Sequence, residues 1–184
     1  NRADITGNAT HRREMIDIIV NPVANGKKAL KCAATAEKRL KERGAEYRIH
    51  YTNAPKHATE IARELSKTSD TIVALGGDGT INEVFNGIDV DKVKLGLIPC
   101  GSGNDFVASA NIPTDTEAAV DLILDGEAKP TDFMVCGGVR GLNIIGTGID
   151  VDILKRSYRA KVLRGSLNYL VSLIVSLIHF KNYS

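Results

Sequence analysis

The sequence predicts an α/β fold: a three-layer domain on a mostly parallel sheet, followed by the truncated start of a second, β-rich domain. Three observations carry this. Apolar runs of strand length alternate with helical repeats between residues 15 and 126. The runs are nearly continuous in Val, Ile and Leu, as in strands covered on both faces. Glycine turns stand directly after two of the strands, where open α/β sheets collect their ligands. Strand and helix alternating at this rhythm imply βαβ units.

Taken in order, residues 15–20 (MIDIIV) form a buried strand ending at Asn21-Pro22. A helix follows, with Ala29, Ala33, Ala36 and Leu40 on its apolar face and Lys31, Lys38, Arg39 and Lys41 on the other. Gly44 stops it. Residues 47–51 are the second strand. Pro55 opens a helix with Ala58, Ile61, Ala62 and Leu65 on one side. Residues 71–75 (TIVAL) are the third strand, and a glycine turn follows at once. Ile81, Val84, Phe85 and Ile88 then hold the i, i+3, i+4, i+7 positions of a helix. Residues 94–98 (KLGLI) are the fourth strand, ended by Pro99. After a second glycine turn, Thr114 and Glu117 read as a capping box. Val120, Ile123 and Leu124 line that helix, and Gly126 ends it.

Past residue 130 the pattern changes. Residues 131–136 and 142–145 read as strands of a second sheet, and residues 165–180 as a long helix. The domains are therefore expected at 15–130 and 131–184, with residues 1–14 as a flexible lead-in.

Composition excludes several classes. The 24 Lys and Arg against 22 Asp and Glu leave a net charge of only +2, and aromatics are sparse, so nucleic acid is not an expected partner. Cys32, Cys100 and Cys136 are odd in number and far apart. That argues against a disulfide framework or a cysteine zinc site and for a reducing cytoplasm. The polar N-terminus is neither a signal peptide nor a membrane span.

The chemistry gathers in three turns that follow strands. The turn Gly76-Gly77-Asp78-Gly79-Thr80 lets an anion approach backbone N–H groups at a helix N-terminus. Asp78 would repel phosphate unless it faces a magnesium ion or the hydroxyl to be phosphorylated. Thr80 caps the helix, contacts phosphate, or both. The turn lacks the GxxxxGK[ST] spacing of a Walker A loop, and Asn82 stands where a dinucleotide fingerprint needs glycine. In the second turn, residues 99–106 (PCGSGNDF), Ser102 can donate to phosphate. Asn104 or Asp105 caps the next short helix or orders a neighbouring loop. The third, residues 21–28 (NPVANGKK), offers an amide, a glycine and the cations Lys27 and Lys28, which could steady triphosphate charge but are more often plain solvated residues.

Together these motifs resemble the diacylglycerol kinase-like catalytic domain of bacterial lipid kinases, sphingosine kinases and ceramide kinases. The resemblance rests on IIVNPVANGKKA (18–29), ALGGDGTINEVFNGI (74–88) and LGLIPCGSGNDFVASANIP (95–113), with GLNIIGTGIDVDIL (141–154) like the start of the family's second domain. It implies an ATP- and magnesium-dependent kinase acting on the hydroxyl of a lipid. The enzyme would be cytoplasmic and would visit a membrane surface, with homodimerisation left open. By matching positions it places nucleotide contacts on Asn21, Pro22, Val23, Ala24, Asn25, Thr52, Gly76, Gly77, Asp78, Gly79, Thr80, Asn82, Glu83, Gly101 and Ser102. Asp78 would organise metal through water. Family members often carry glycine at the position of Asn25. The family's general base belongs to an Asp-Gly-Glu segment late in the second domain, beyond this chain. Asp125-Gly126-Glu127 has those letters at the end of a first-domain helix and reads as a decoy. The chain alone is therefore expected to bind ATP weakly and turn over little.

The rival readings are a non-catalytic nucleotide-binding module and an NAD kinase-like enzyme, whose family shares the GGDGT turn. His50 and His57 read as ordinary structural or surface residues, and His11 and His179 carry no signal. The apolar residues 169–180 are too short to span a bilayer. They read as a helix packed in the second domain, ahead of one bordering the acceptor site or a membrane.

Overall fold

The computed structural model describes residues 15–26, 28–143 and 151. The chain divides into two units after Asn143. The expected helix at residues 165–180, most of the expected second domain, Lys27, His11 and His179 lie outside the described residues.

Four parallel strands form the central sheet: β1 (Ile16–Val20), β2 (Tyr47–Tyr51), β3 (Thr71–Gly76) and β4 (Lys94–Pro99), in the order β2-β1-β3-β4. Five helices connect or follow them: α1 (Lys28–Glu42), α2 (His57–Leu65), α3 (Asp78–Gly87), α4 (Asp105–Ser109) and α5 (Thr116–Asp125). Strand side chains alternate between faces, so one sheet yields two cores. Ile16, Ile18 and Val20 pack with Val73, Leu75 and Ile98 against Ala33, Ala36 and Leu40 of α1 and Ala119 and Val120 of α5. On the other face, Ile19, Ile72, Ala74 and Leu97 meet Ala58 and Ala62 of α2, Ile81, Val84 and Phe85 of α3, and Val107 of α4. The three-layer reading of the sequence is therefore correct. Small residues matter here: a Cβ on Gly87 would clash with the Thr59 carbonyl, so α2 and α3 cross nearly backbone to backbone.

One charge sits inside this apolar frame. Asp17 of β1 is completely buried. Its carboxylate accepts from Arg48 Nε at 2.8 Å and Arg48 Nη2 at 2.7 Å, and from Ser69 Oγ at 2.6 Å. His50 Nε2 lies 2.7 Å from the same carboxylate. Burial works to raise the pKa of Asp17, but Arg48, Ser69 and His50 outweigh it and hold the carboxyl below its usual range. On the opposite face, Arg39 and Arg43 of α1 grip Asp121 of α5, and Arg43 Nη2 reaches Asp125 at 2.6 Å. That ion pair gives Asp125 a structural partner at the end of α5.

Three expectations need correction. The N-cap of α5 is Asp115, whose side chain accepts from Ala118 N at 2.9 Å. Thr114 lies one residue too early. Pro55 does not open α2: it sits in a turn closed by His57 N donating to Ala54 O, and Lys56 is the N-cap. Of the later strands, β5 (Met134–Cys136) falls within the expected 131–136 but is shorter, β6 (Val139–Gly141) was not expected, Leu142 and Asn143 are not in a strand, and the rest of the expected strand 142–145 lies outside the described residues. Gly137 and Gly138 both take positive φ, which suits a tight hairpin turn between antiparallel strands. The hairpin leans on α3. Asn86 and Arg140 exchange two hydrogen bonds, Arg140 Nη2 donates to Ile88 O, and Phe133 meets Phe85 edge to face at 5.3 Å.

Candidate functional site

The strand order reverses between β1 and β3. Chain from β1 runs out to β2 on one side, and chain from β3 runs to β4 on the other. Such a switch point opens a crevice at the carboxyl ends of the two strands. The register aligns these ends, with Val20 opposite both Tyr51 and Leu75, and Gly76 opposite Pro99. The turns after β1, β3 and β4, here the first, second and third loops, therefore lie in one row.

Each pair of loops is joined. Asn21 Nδ2 donates to Thr80 Oγ1 at 3.3 Å, tying the first loop to the second. Asp78 ties the second to the third: Oδ2 accepts from Asn104 N at 2.9 Å and Oδ1 from Asp105 N at 3.1 Å. Asn25 Nδ2 donates to Cys100 O at 3.3 Å, tying the first to the third. Cys100 N donates to Gly76 O at 2.7 Å. The second and third loops also touch by backbone. A Cβ on Gly101 would lie 2.7 Å from the Gly77 Cα, and one on Gly77 would lie 3.2 Å from the Gly101 Cα. A Cβ on Gly76 would strike Thr80 Oγ1 at 2.5 Å. These glycines are needed for the fold itself.

Gly79 is different. It lies in the first turn of α3, its φ is not left-handed, and a Cβ there would meet nothing within 4 Å. Glycine in a helix costs about 0.5–1 kcal/mol relative to alanine, and no neighbour among the described residues requires it here. The N-cap, Gly77, offers no side chain to the first-turn N–H groups, which helix geometry leaves without intrahelical partners. Open room, free donors and a helix N-terminus form a cradle for an oxyanion.

Asp78 borders that cradle. It is exposed and has no cationic partner among the described residues. Each carboxylate oxygen accepts one backbone N–H and keeps lone pairs for a water or a metal. Among the described residues no group of three or more His, Cys, Asp or Glu could hold a metal ion. The residues present thus fit a magnesium ion held through water and phosphate oxygens rather than by an all-protein cage.

The other predicted residues divide. Pro22, Val23 and Ala24 continue the first loop, where Val23 N donates to Asn21 Oδ1. Ser102 stands exposed at the third loop with no hydrogen-bond partner among the described residues. Thr52 is buried at the end of β2, its N–H donating to Val20 O. Asn82 and Glu83 lie farther along α3. The Asn82 side chain is engaged by Asn86, and the Glu83 carbonyl accepts from Thr59. Lys28 is exposed at the start of α1. Two residues organise the third loop: Asn104, expected to cap the short helix or order a loop, and Cys100, which went unread in the sequence. Asn104, at φ 60°, clamps Gly101 by accepting from its N–H and donating to its carbonyl. Cys100 is fully buried, and burial, then the neighbouring Cys32, pushes its thiol pKa up. It is an anchor, not a nucleophile. The Asn-Asp pair after a Gly-Ser-Gly run was the available signal for the clamp.

Residues 16–136 match the family described as diacylglycerol kinase catalytic domain. The chain belongs to this family. Among curated relatives of the diacylglycerol kinase domain, it is 37% identical over 135 residues to the diacylglycerol kinase of Bacillus subtilis, covering 71% of this chain and 45% of that protein. It is 36% identical over 124 residues to the diacylglycerol kinase of Staphylococcus saprophyticus, covering 66% and 41%. A crystal structure of a diacylglycerol kinase from Bacillus anthracis superposes with a TM-score of 0.59 at 27% identity, covering 80% of this chain and 53% of that one. The chain thus spans about half the length of the relatives it matches.

Proposed function

We propose that this chain is the nucleotide-binding part of an ATP-dependent lipid kinase that transfers the γ-phosphate of ATP to the hydroxyl of diacylglycerol. The observation that carries the reading is the open cradle at Gly79, at the switch point of the sheet and inside three loops already tied together. Family membership supports the reaction class, and the relatives' names support the acceptor.

In this reading the N–H groups of Asp78, Gly79 and Thr80 receive phosphate oxygens. Ser102 donates its free hydroxyl from the third loop. Asn21 orients Thr80 and so sets the entry of α3. Asp78 would hold a magnesium ion through water, and such an ion would supply neutralisation of phosphate charge. The protein's own contribution is position and fixed charge, because phosphoryl transfer needs little covalent help. The acceptor comes from a membrane surface at the cytoplasmic side. Among the described residues no helix is long and apolar enough to cross a membrane.

The test is phosphate transfer by the full-length gene product, with ATP labelled at its γ-phosphorus and vesicles containing diacylglycerol or other hydroxyl lipids. Label appearing in diacylglycerol supports the proposal. ATP binding without transfer to any lipid would favour a non-catalytic module instead.

A further inference from the structure

Asn25 stands in the left-handed region at φ 46°, and Gly26 beside it at φ 62°. Asparagine tolerates that region better than other side chains, but glycine would adopt it without strain. The turn does not need the amide for its own shape. The amide is used 75 residues away, on the carbonyl of Cys100. Cys100 is completely buried and anchored to β3 through Gly76 O. It is also the root of the third loop, next to the Gly101 that touches Gly77. Among the described residues, Asn25 makes the only side-chain hydrogen bond between the first and third loops. The Asn21–Thr80 and Asp78–Asn104 links close the other two sides of a triangle around the cradle.

We infer that Asn25 is a positioning residue: it holds the third loop against the first before nucleotide arrives, acting through Cys100. Ser102 is then already placed to meet phosphates seated at Gly79. The effect on affinity rests on the ATP reading above. The effect on loop order rests on geometry alone.

Two variants test it. Asn25→Gly keeps the backbone conformation and removes the donor. Asn25→Asp keeps a left-handed-tolerant residue and turns a carboxylate toward the Cys100 carbonyl. Three readouts are taken on the 184-residue chain: hydrogen exchange of the residue 101–103 amides without ligand, the Kd for magnesium-ATP, and the Kd for adenosine. Both variants should speed exchange at residues 101–103 and weaken ATP by about fivefold, the worth of one hydrogen bond, with Asn25→Asp the stronger. Adenosine has no phosphates to meet the third loop, so its affinity should not move. Unchanged exchange in both variants overturns the inference. So does faster exchange with unaltered ATP affinity, or an equal loss for adenosine, which would mark general loosening. If the parent chain binds no ATP, the functional reading fails, and the exchange data still decide whether Asn25 orders the loop.

Discussion

Asp17 and Asp78 are the same residue type at the two ends of one sheet, and they are used in opposite ways. Asp17, toward the amino ends of the strands, is buried and saturated: a guanidinium, a hydroxyl and an imidazole all meet it. Asp78, at the carboxyl ends, is exposed and meets two backbone N–H groups and no cation among the described residues. A buried carboxylate with every lone pair engaged is a structural part, because exposing any partner leaves a charge in an apolar setting. A carboxylate fixed in position with spare lone pairs can act on something not yet bound. The difference teaches where this molecule keeps its stability and where it keeps its chemistry.

The comparison breaks first at Asp78. Asp78→Asn retains one acceptor, loses the charge and turns an NH2 toward a backbone donor of the third loop. Turnover by the full-length protein should fall about 100-fold, as expected when reacting groups are misplaced, while the melting temperature barely moves. A large loss of melting temperature with normal turnover would reverse the assignment.

At Asp17 the effects should exchange places. Asp17→Ala leaves Arg48 facing an apolar core, although half of Arg48 is already solvated. The low end of the cost of breaking a buried pair applies, about 3 kcal/mol, read as a lower urea midpoint. ATP affinity of the folded fraction should be unchanged. The acid limb sharpens this. The folded pKa of Asp17 is lowered, so its contribution is complete above the ordinary carboxylate pKa of about 4. It is lost as pH falls through the lowered folded value. The gap in stability between the parent and Asp17→Asn should therefore narrow below about pH 4. A constant gap down to pH 2 would contradict the account.

The smallest effect is expected at Asp125, which has the letters of the family's catalytic segment but is held by Arg43 on the surface. Exposed pairs contribute little. Asp125→Ala should leave turnover and melting temperature nearly unaltered, and a loss of turnover would mean that the triplet is no decoy.

The four central strands were legible to within a residue, and the two central ones, β1 and β3, are buried throughout and so carry nearly continuous apolar sequence. The hairpin was half legible: Met134, Val135 and Cys136 fall within the expected 131–136 although all three are exposed, while β6 was passed over, and the glycine pair at 137–138 was the better guide to it. The N-cap of α5 slipped by one residue because Thr114 and Asp115 are both capping types. Which turns would gather at the site followed from strand ends alone. How they are bound together did not, since the Asn25–Cys100 and Asp78–Asn104 links join residues far apart in sequence. Asp17 was passed over as part of an apolar run. A charge inside such a run demands partners, and Arg48 and His50, two apart on β2, were the signal.

Gly79 tests the central claim most directly, because no neighbour among the described residues gives a reason for glycine there. Gly79→Ala should raise stability by about 0.4–1 kcal/mol, since alanine fits a helix and narrows the unfolded ensemble. In the same protein, magnesium-ATP affinity measured by calorimetry should fall at least about tenfold, because the methyl group fills the cradle. A variant that is more stable and binds ATP as well as the parent would show that no phosphate sits at the head of α3.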